Sequence, residues 1–254
     1  MTVTDARTNA ERVAALEPVA ARELERHLST AKEWFPHQYV PWSEGSDFDG
    51  EYDGEAWDPE QSRIDPVGRT ALVVNLLTED NLPSYHRAII DSTGRDSAWG
   101  EWVHRWTAEE ARHGTAMRDY LTVTRAVDPV ALERERMDHM SRGFSSAVEG
   151  DVLTGTAYVS FQELATRISH RNTGRYTDDP GCDRLLARIA ADENLHMLFY
   201  RNTMAAAFEM EPDAALSAFG PTATLPAPAP PRRVAFPRAR ASRTSSSSKK
   251  AARP

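Results

Sequence analysis

Apolar residues recurring at three- and four-residue spacing predict an all-α protein, a bundle of long helices. Two further observations support this. Glycine and proline are scarce between residues 97 and 211, and no stretch reads as a convincing strand. At 254 residues the chain is long enough for one sizeable domain with a real core.

The elements follow in order. Residues 1–11 are expected to be disordered, and a first helix spans about 12–32. A loop follows, WFPHQYVPWSEGSDFDGEYDGEAWDP, rich in aromatics, Gly, Pro and acids. A second helix is expected over about 66–91, ending near Ser92-Thr93-Gly94, and a third over about 97–125. Asp128-Pro129 supplies an N-cap and a first-turn proline for a fourth, to about 142. A fifth covers about 154–176 and is broken by Asp178-Asp179-Pro180-Gly181; a sixth runs to about 209, and Pro212 opens a short last piece. The expected domain is residues 12–219. Beyond it, residues 220–254 are a basic Pro/Ala/Arg/Ser tail with too little apolar surface to offset chain entropy, and disorder is expected.

Net charge is −8, but residues 221–254 hold eight of the 30 Lys/Arg and none of the 38 Asp/Glu, so residues 1–220 carry −16. An acidic body argues against nucleic acid as a partner. No stretch approaches the roughly 18 apolar residues of a membrane span. The N-terminus lacks a basic head followed by an apolar run. Cys182 is the single cysteine, which excludes an internal disulfide framework and fits a reducing cytoplasm.

Three Glu-x-x-His motifs occur: Glu101/His104, Glu110/His113 and Glu193/His196. Glu101 and Glu110 are nine residues apart, which at about 100° per residue places them on opposite faces of one helix. The stripe Trp102, Trp106, Glu110, His113, Met117, Tyr120 has the spacing of a buried face, so Glu110 and His113 interrupt a core stripe, whereas Glu101 and His104 form a solvated pair. Glu109 is expected on a different part of that helix surface. Leu185, Ile189, Glu193, His196, Tyr200 repeats the pattern. Each pair is preceded, one helix earlier, by a lone glutamate in an apolar stripe, Glu79 and Glu163, at 31 and 30 residues. Buried carboxylates and imidazoles need partners or a metal.

Two single glutamates and two Glu-x-x-His motifs on four helices form the donor set of a ferritin-like dinuclear carboxylate site, with additional helices flanking a four-helix core. Four carboxylates balance two divalent cations, and oxygen donors with one imidazole per ion suit iron or manganese. Pro83, four residues after Glu79, removes the N–H that would bond the Glu79 carbonyl; it predicts a kink, serving either packing or the aim of Glu79.

The stretches LLTEDNLPSYH (76–86), WTAEEARHG (106–114), VSFQELATRISHRNT (159–173) and IAADENLHM (189–197), with WFPHQYVPW (34–42) more weakly, resemble the soluble acyl-acyl carrier protein desaturases, above all their actinobacterial branch. The resemblance spans roughly residues 12–219. It implies a cytoplasmic, homodimeric di-iron enzyme of fatty acid biosynthesis. Such an enzyme uses O₂ and electrons from a ferredoxin to put a cis double bond into an acyl chain on acyl carrier protein. It implies Glu79, Glu110, His113, Glu163, Glu193 and His196 as iron ligands, with Glu110 and Glu163 at bridging positions. It also implies Thr166 beside the oxygen site, and Asp192 and Trp34 linking the surface to the ligand histidine. Arg22, Arg26, Lys32, Arg167, Arg171 and Arg175 are candidates for a basic patch facing the acidic carrier. The family pattern continues past Phe219 with further helical segments where this sequence turns into its tail. Two other readings stay open from the residues: a non-catalytic di-metal-binding relative, and a di-iron oxidase with another substrate.

Overall fold

The computed structural model describes residues 7–143 and 151–224, with side chains to residue 220. Eight α-helices carry the described chain: α1 (Asn9–Thr30), α2 (Pro66–Asp80), α3 (Leu82–Thr93), α4 (Ser97–Val123), α5 (Pro129–Arg142), α6 (Val152–Tyr176), α7 (Pro180–Met210) and α8 (Pro212–Thr224). Among the described residues the only extended pairing is a single bridge between Phe48 and Glu55.

The helix starts follow local chemistry. Asp65, Asp128, Asp151 and Asp179 each accept first-turn N–H groups, and proline opens α2, α5 and α7. Thr8 and Glu11 form a capping box for α1. Gly94, at φ 84°, ends α3 in a conformation that favours glycine.

Three expectations change at the element boundaries. The first helix begins at Asn9, inside the stretch expected to be disordered, because Arg7 and Arg12 pair with Glu211 and Asn9 bonds Ser92 and Val152. The helix expected over 66–91 is two helices that break at Asn81. Pro83 sits in the first turn of α3, where its missing N–H costs no helical bond. The last helix continues through Thr224, past the expected boundary at Phe219; residues 225–254 of the tail lie outside the described residues.

Helices α2, α4, α6 and α7 form the core four; α1 lies on α4 and α7, α3 on α4, and α8 on α6 and α7. The core is divided. One apolar cluster holds Leu72, Leu76, Met117, Leu121, Leu185 and Ile189; the other holds Leu16, Trp99, Trp102, Trp106, Phe199 and Tyr200. On α4 and α7 the residues between the clusters are those of the two Glu-x-x-His motifs. A belt of buried carboxylates and imidazoles therefore crosses the bundle at mid-height, with apolar packing on both sides. No described helix is long and apolar enough to cross a membrane.

Candidate metal centre

The six residues picked out by the doubled register meet in that belt. Glu79, Glu110, His113, Glu163, Glu193 and His196 are all buried, none more than 7% exposed. Their donor atoms form two groups, each with its atoms within 4.8 Å of one another: Glu79, Glu110, His113 and Glu193, and Glu110, Glu163, Glu193 and His196. Nδ1 of His113 faces Glu110 Oε2 at 3.3 Å and Glu193 Oε1 at 3.5 Å; Nδ1 of His196 faces Glu110 Oε1 at 2.8 Å and Glu193 Oε2 at 3.8 Å. Glu110 and Glu193 thus give one oxygen to each half. This corrects the expectation that Glu110 and Glu163 are the shared pair. Both shared carboxylates come from the Glu-x-x-His helices α4 and α7, while Glu79 of α2 and Glu163 of α6 each belong to one half.

The donor chemistry fits cations. Nδ1 of His113 and His196, with Oε1 of Glu110 and Glu193, are buried without a hydrogen bond although they lie close together. These atoms are crowded into one space, within 4.8 Å of one another in each group. Burial and the neighbouring Glu110 and Glu193 charges push the Glu79 carboxyl well above its ordinary range, and burial with Glu193 and Glu110 does the same to Glu163. Burial opposes protonation of His113 and His196, yet Glu110 and Asp192 around the first, and Glu109 and Glu110 around the second, push both well upward. The belt demands positive charge. Two divalent cations held by the four carboxylates would supply it without protonating the donors.

A second layer fixes the donors by crossing between helices. Asp192 of α7 accepts Nε2–H of His113 on α4 at 3.3 Å, and Glu109 of α4 accepts Nε2–H of His196 on α7 at 2.9 Å. Each bond sets its imidazole so that Nδ1 faces the belt. Asp192 also receives Trp34 Nε1–H at 2.7 Å and Arg112 at 3.0 Å, and pairs with Arg188. Burial opposes its ionisation, but the His113 and Trp34 bonds and the Arg188 charge outweigh that and hold the carboxyl down at about 2. Glu109 likewise overcomes burial through His196 and His27 and lies far below the carboxylate range. The expectation that Glu109 sits elsewhere on the helix surface is therefore wrong: it is 3% exposed and bridges His27 and His196.

Trp34 is itself 2% exposed, its ring nearly parallel to His113 at 6.1 Å and covered by the Arg112 guanidinium at 4.5 Å. The neighbouring Phe35 reaches the surface. Thr166 is half-buried on α6, its hydroxyl bonded to the Gln162 and Glu163 carbonyls. It lines a small hollow with Glu79, Glu110, Glu163 and Glu193. Trp106 donates Nε1–H to Glu163 at 2.9 Å. Glu101 and His104 are exposed, outside the belt.

Three members of the belt were not anticipated. Glu109 could have been found: an acid directly precedes both motif glutamates, Asp192-Glu193 and Glu109-Glu110. His27 continues the Leu16, Ala20, Leu24 stripe of α1, but nothing local says what it meets. His170 donates toward Glu79 Oε1 at 3.2 Å; its place in the α6 stripe showed burial, not a partner.

Beside the belt an apolar cavity, lined by Tyr85, Ile89, Trp102, Val159 and Tyr200, runs to Trp106 and Glu163 and so adjoins the small hollow.

With this geometry in place, comparison with known proteins gives a consistent picture. The fatty acid desaturase family model matches residues 8–225. The chain belongs to the fatty acid desaturase family. Within that family, the Mycobacterium tuberculosis protein named acyl-acyl carrier protein desaturase DesA1 is 55% identical over 208 residues, 79% of this chain and 61% of DesA1. The chain thus spans about three fifths of that relative's length. An Arabidopsis thaliana chloroplastic stearoyl-acyl carrier protein 9-desaturase 6 is 39% identical over 157 residues, 58% of this chain and 40% of the plant protein. The X-ray structure of M. tuberculosis DesA2 is 33% identical with a TM-score of 0.66, covering 82% of this chain and 75% of DesA2. The ferritin-like desaturase fold accounts for the doubled helical hairpin.

Proposed function

We propose that this chain is an acyl-acyl carrier protein desaturase, a di-iron enzyme that introduces a cis double bond into an acyl chain carried on acyl carrier protein. The observation that carries this reading is the apolar cavity ending on Trp106 and Glu163, directly beside the paired Glu/His groups. The names of the relatives point the same way.

Glu79, Glu110, His113, Glu163, Glu193 and His196 would hold two iron ions, and manganese accepts the same donors. An unactivated methylene has no acidic proton, so bound iron supplies the O₂-dependent oxidising chemistry that acid–base catalysis lacks. In balance, –CH₂–CH₂– gives up two hydrogens, and O₂ becomes two waters with two donor electrons and two protons. The chain's residues do the rest. Trp102, Ile89 and Val159 keep water from the acyl chain and hold it in line with the belt. Asp192 and Glu109 hold their histidines in the donor tautomer. Thr166, which lines the hollow, would hold a proton on its hydroxyl beside the carboxylates. Trp34, Asp192 and His113 form the entry route for electrons from a ferredoxin-type donor.

The protein acts in the cytoplasm as a homodimer, a reading consistent with the exposed Leu164 and Ile168 on α6 and the buried thiol Cys182. The deciding experiment supplies Fe(II), reduced ferredoxin, acyl-acyl carrier protein and O₂, then analyses the recovered acyl chain by mass spectrometry. A double bond is the expected product. Peroxide release or iron oxidation with a fully saturated chain would sink the reading.

A further inference from the structure

The place where the chain breaks after Glu79 is held from outside by α5. α2 ends at Asp80, and Asn81, at φ −75° and ψ 2°, leaves the helix. Pro83 cannot return an N–H to the Glu79 carbonyl, and the Asn81 N–H closes back on the Thr78 and Glu79 carbonyls instead of continuing the helix. The turn that aims Glu79 is thus short of helical bonds.

Both residues that follow Glu79 turn to α5. Asp80 takes a bidentate pair from Arg136, Nε to Oδ2 at 2.7 Å and Nη2 to Oδ1 at 2.8 Å, and Glu133 holds the remaining nitrogen at 2.8 Å. Asn81 donates Nδ2–H to Nε2 of His139 at 2.7 Å. Asp80 and Asn81 are both buried, at 9% and 7% exposed. A fork-to-fork Arg–carboxylate pair fixes direction as well as distance. α5 has little other hold on the bundle: Leu132 is its one buried residue, while Val130, Met137 and Met140 are exposed. A helix with so small an apolar face is attached largely through these two polar clamps.

We propose that Arg136 and His139 are positioning residues for Glu79, holding the α2–α3 break so that its carboxylate faces the half of the centre it shares with His113. The proposal rests on the di-metal reading above. It assigns α5, which joins the two halves of the repeat, the task of shaping one metal position and not the other.

The test is Fe(II) titration of the full chain, with ⁵⁷Fe Mössbauer spectra and iron counts on wild type, Arg136→Gln, Arg136→Lys and His139→Ala. Glu79→Gln and Glu163→Gln serve as references for each half. Wild type should bind two irons. Arg136→Gln should weaken one binding step by about 10- to 100-fold and give the Glu79→Gln spectrum, not that of Glu163→Gln. Arg136→Lys, which keeps the charge and loses the fork, should recover part of it. Two irons at wild-type affinity in folded Arg136→Gln and His139→Ala would overturn the proposal, and so would equal weakening of both irons. If Arg136→Gln does not fold by circular dichroism, His139→Ala decides by the same criteria. Failure of wild type to bind two irons would instead overturn the di-metal reading, a distinguishable result.

Discussion

Glu110 offers Oε1 to one histidine and Oε2 to the other, and Glu193 does the same from the facing helix. Single residues here are defined by which atom faces which neighbour. Glu109 shows it most clearly, since it accepts Nε2–H of His196 and so leaves Nδ1 facing the belt. Glu109→Gln keeps the shape but loses the charge that favours the donor tautomer. Metal affinity should fall about 10- to 100-fold, read by iron titration, while the exposed Glu101→Gln should bind as wild type does. Cys182 provides a pH test away from the metals. Burial pushes its thiol from 9.0 up to about 12. Since the folded pKa is raised, the protonated thiol is favoured; its stability contribution is complete below pH 9 and is lost as pH rises toward 12. Native protein at pH 8 should leave a thiol reagent such as DTNB unreacted, and denaturant should release one thiol per chain. Rapid native labelling would contradict the burial.

Among the elements, the α6–α7 hairpin is the closest-packed pair. A Cβ on Gly174 would lie 2.9 Å from Asp183 Oδ1 and 3.2 Å from Asp183 Cα, on the facing helix. Alanine is the better helix former by about 1 kcal/mol, yet Gly174→Ala should destabilise by about 1–3 kcal/mol because backbone would have to move. Urea unfolding checks the sign. At this scale the sequence was readable where the cause was local: the cap Asp128 and the first-turn proline Pro129 marked the start of α5 correctly. The break at Asn81 was less so. Pro83 announced a distortion, but the apolar stripe continued through Leu82 and favoured one kinked helix. What separates α2 from α3 is the turn of Asp80 and Asn81 toward α5, a contact 56 residues away in the chain.

For the molecule as a whole, a belt of buried carboxylates between two apolar clusters ties stability to cations. A ligand that binds only the folded state, at a hundred times its dissociation constant, adds about 2.7 kcal/mol. Chelation should therefore lower Tm, and Fe(II) should restore it. A Glu110→Ala/Glu193→Ala variant should hold no iron and show a Tm indifferent to both. Unchanged iron in that variant would refute the centre. Charge matters at the same scale. Residues 1–220 carry −16, so under the proposed function docking to acyl carrier protein, itself acidic, would rest on a local basic patch. Arg22 and Arg26 both engage Glu23, and Arg171 engages Asp183, which leaves Lys32, Arg167 and Arg175 as the freer candidates. Affinity for the carrier should drop steeply between low and physiological salt; a flat isotherm series would rule out electrostatic docking.

The sequence by itself determined the helical class, and which six Glu and His residues in doubled register would be buried together. Periodicity and motif spacing are properties of consecutive residues, and a glutamate interrupting an apolar stripe is visible without coordinates. Only the tertiary structure decided which carboxylates are shared, that Asp192 and Glu109 cross to the opposite helix's histidine, and that His27 and His170 join the belt. The physical reason is that those assignments depend on the rotation and depth of one helix against another. Spacing along a single chain does not carry that information; side-chain packing between helices sets it.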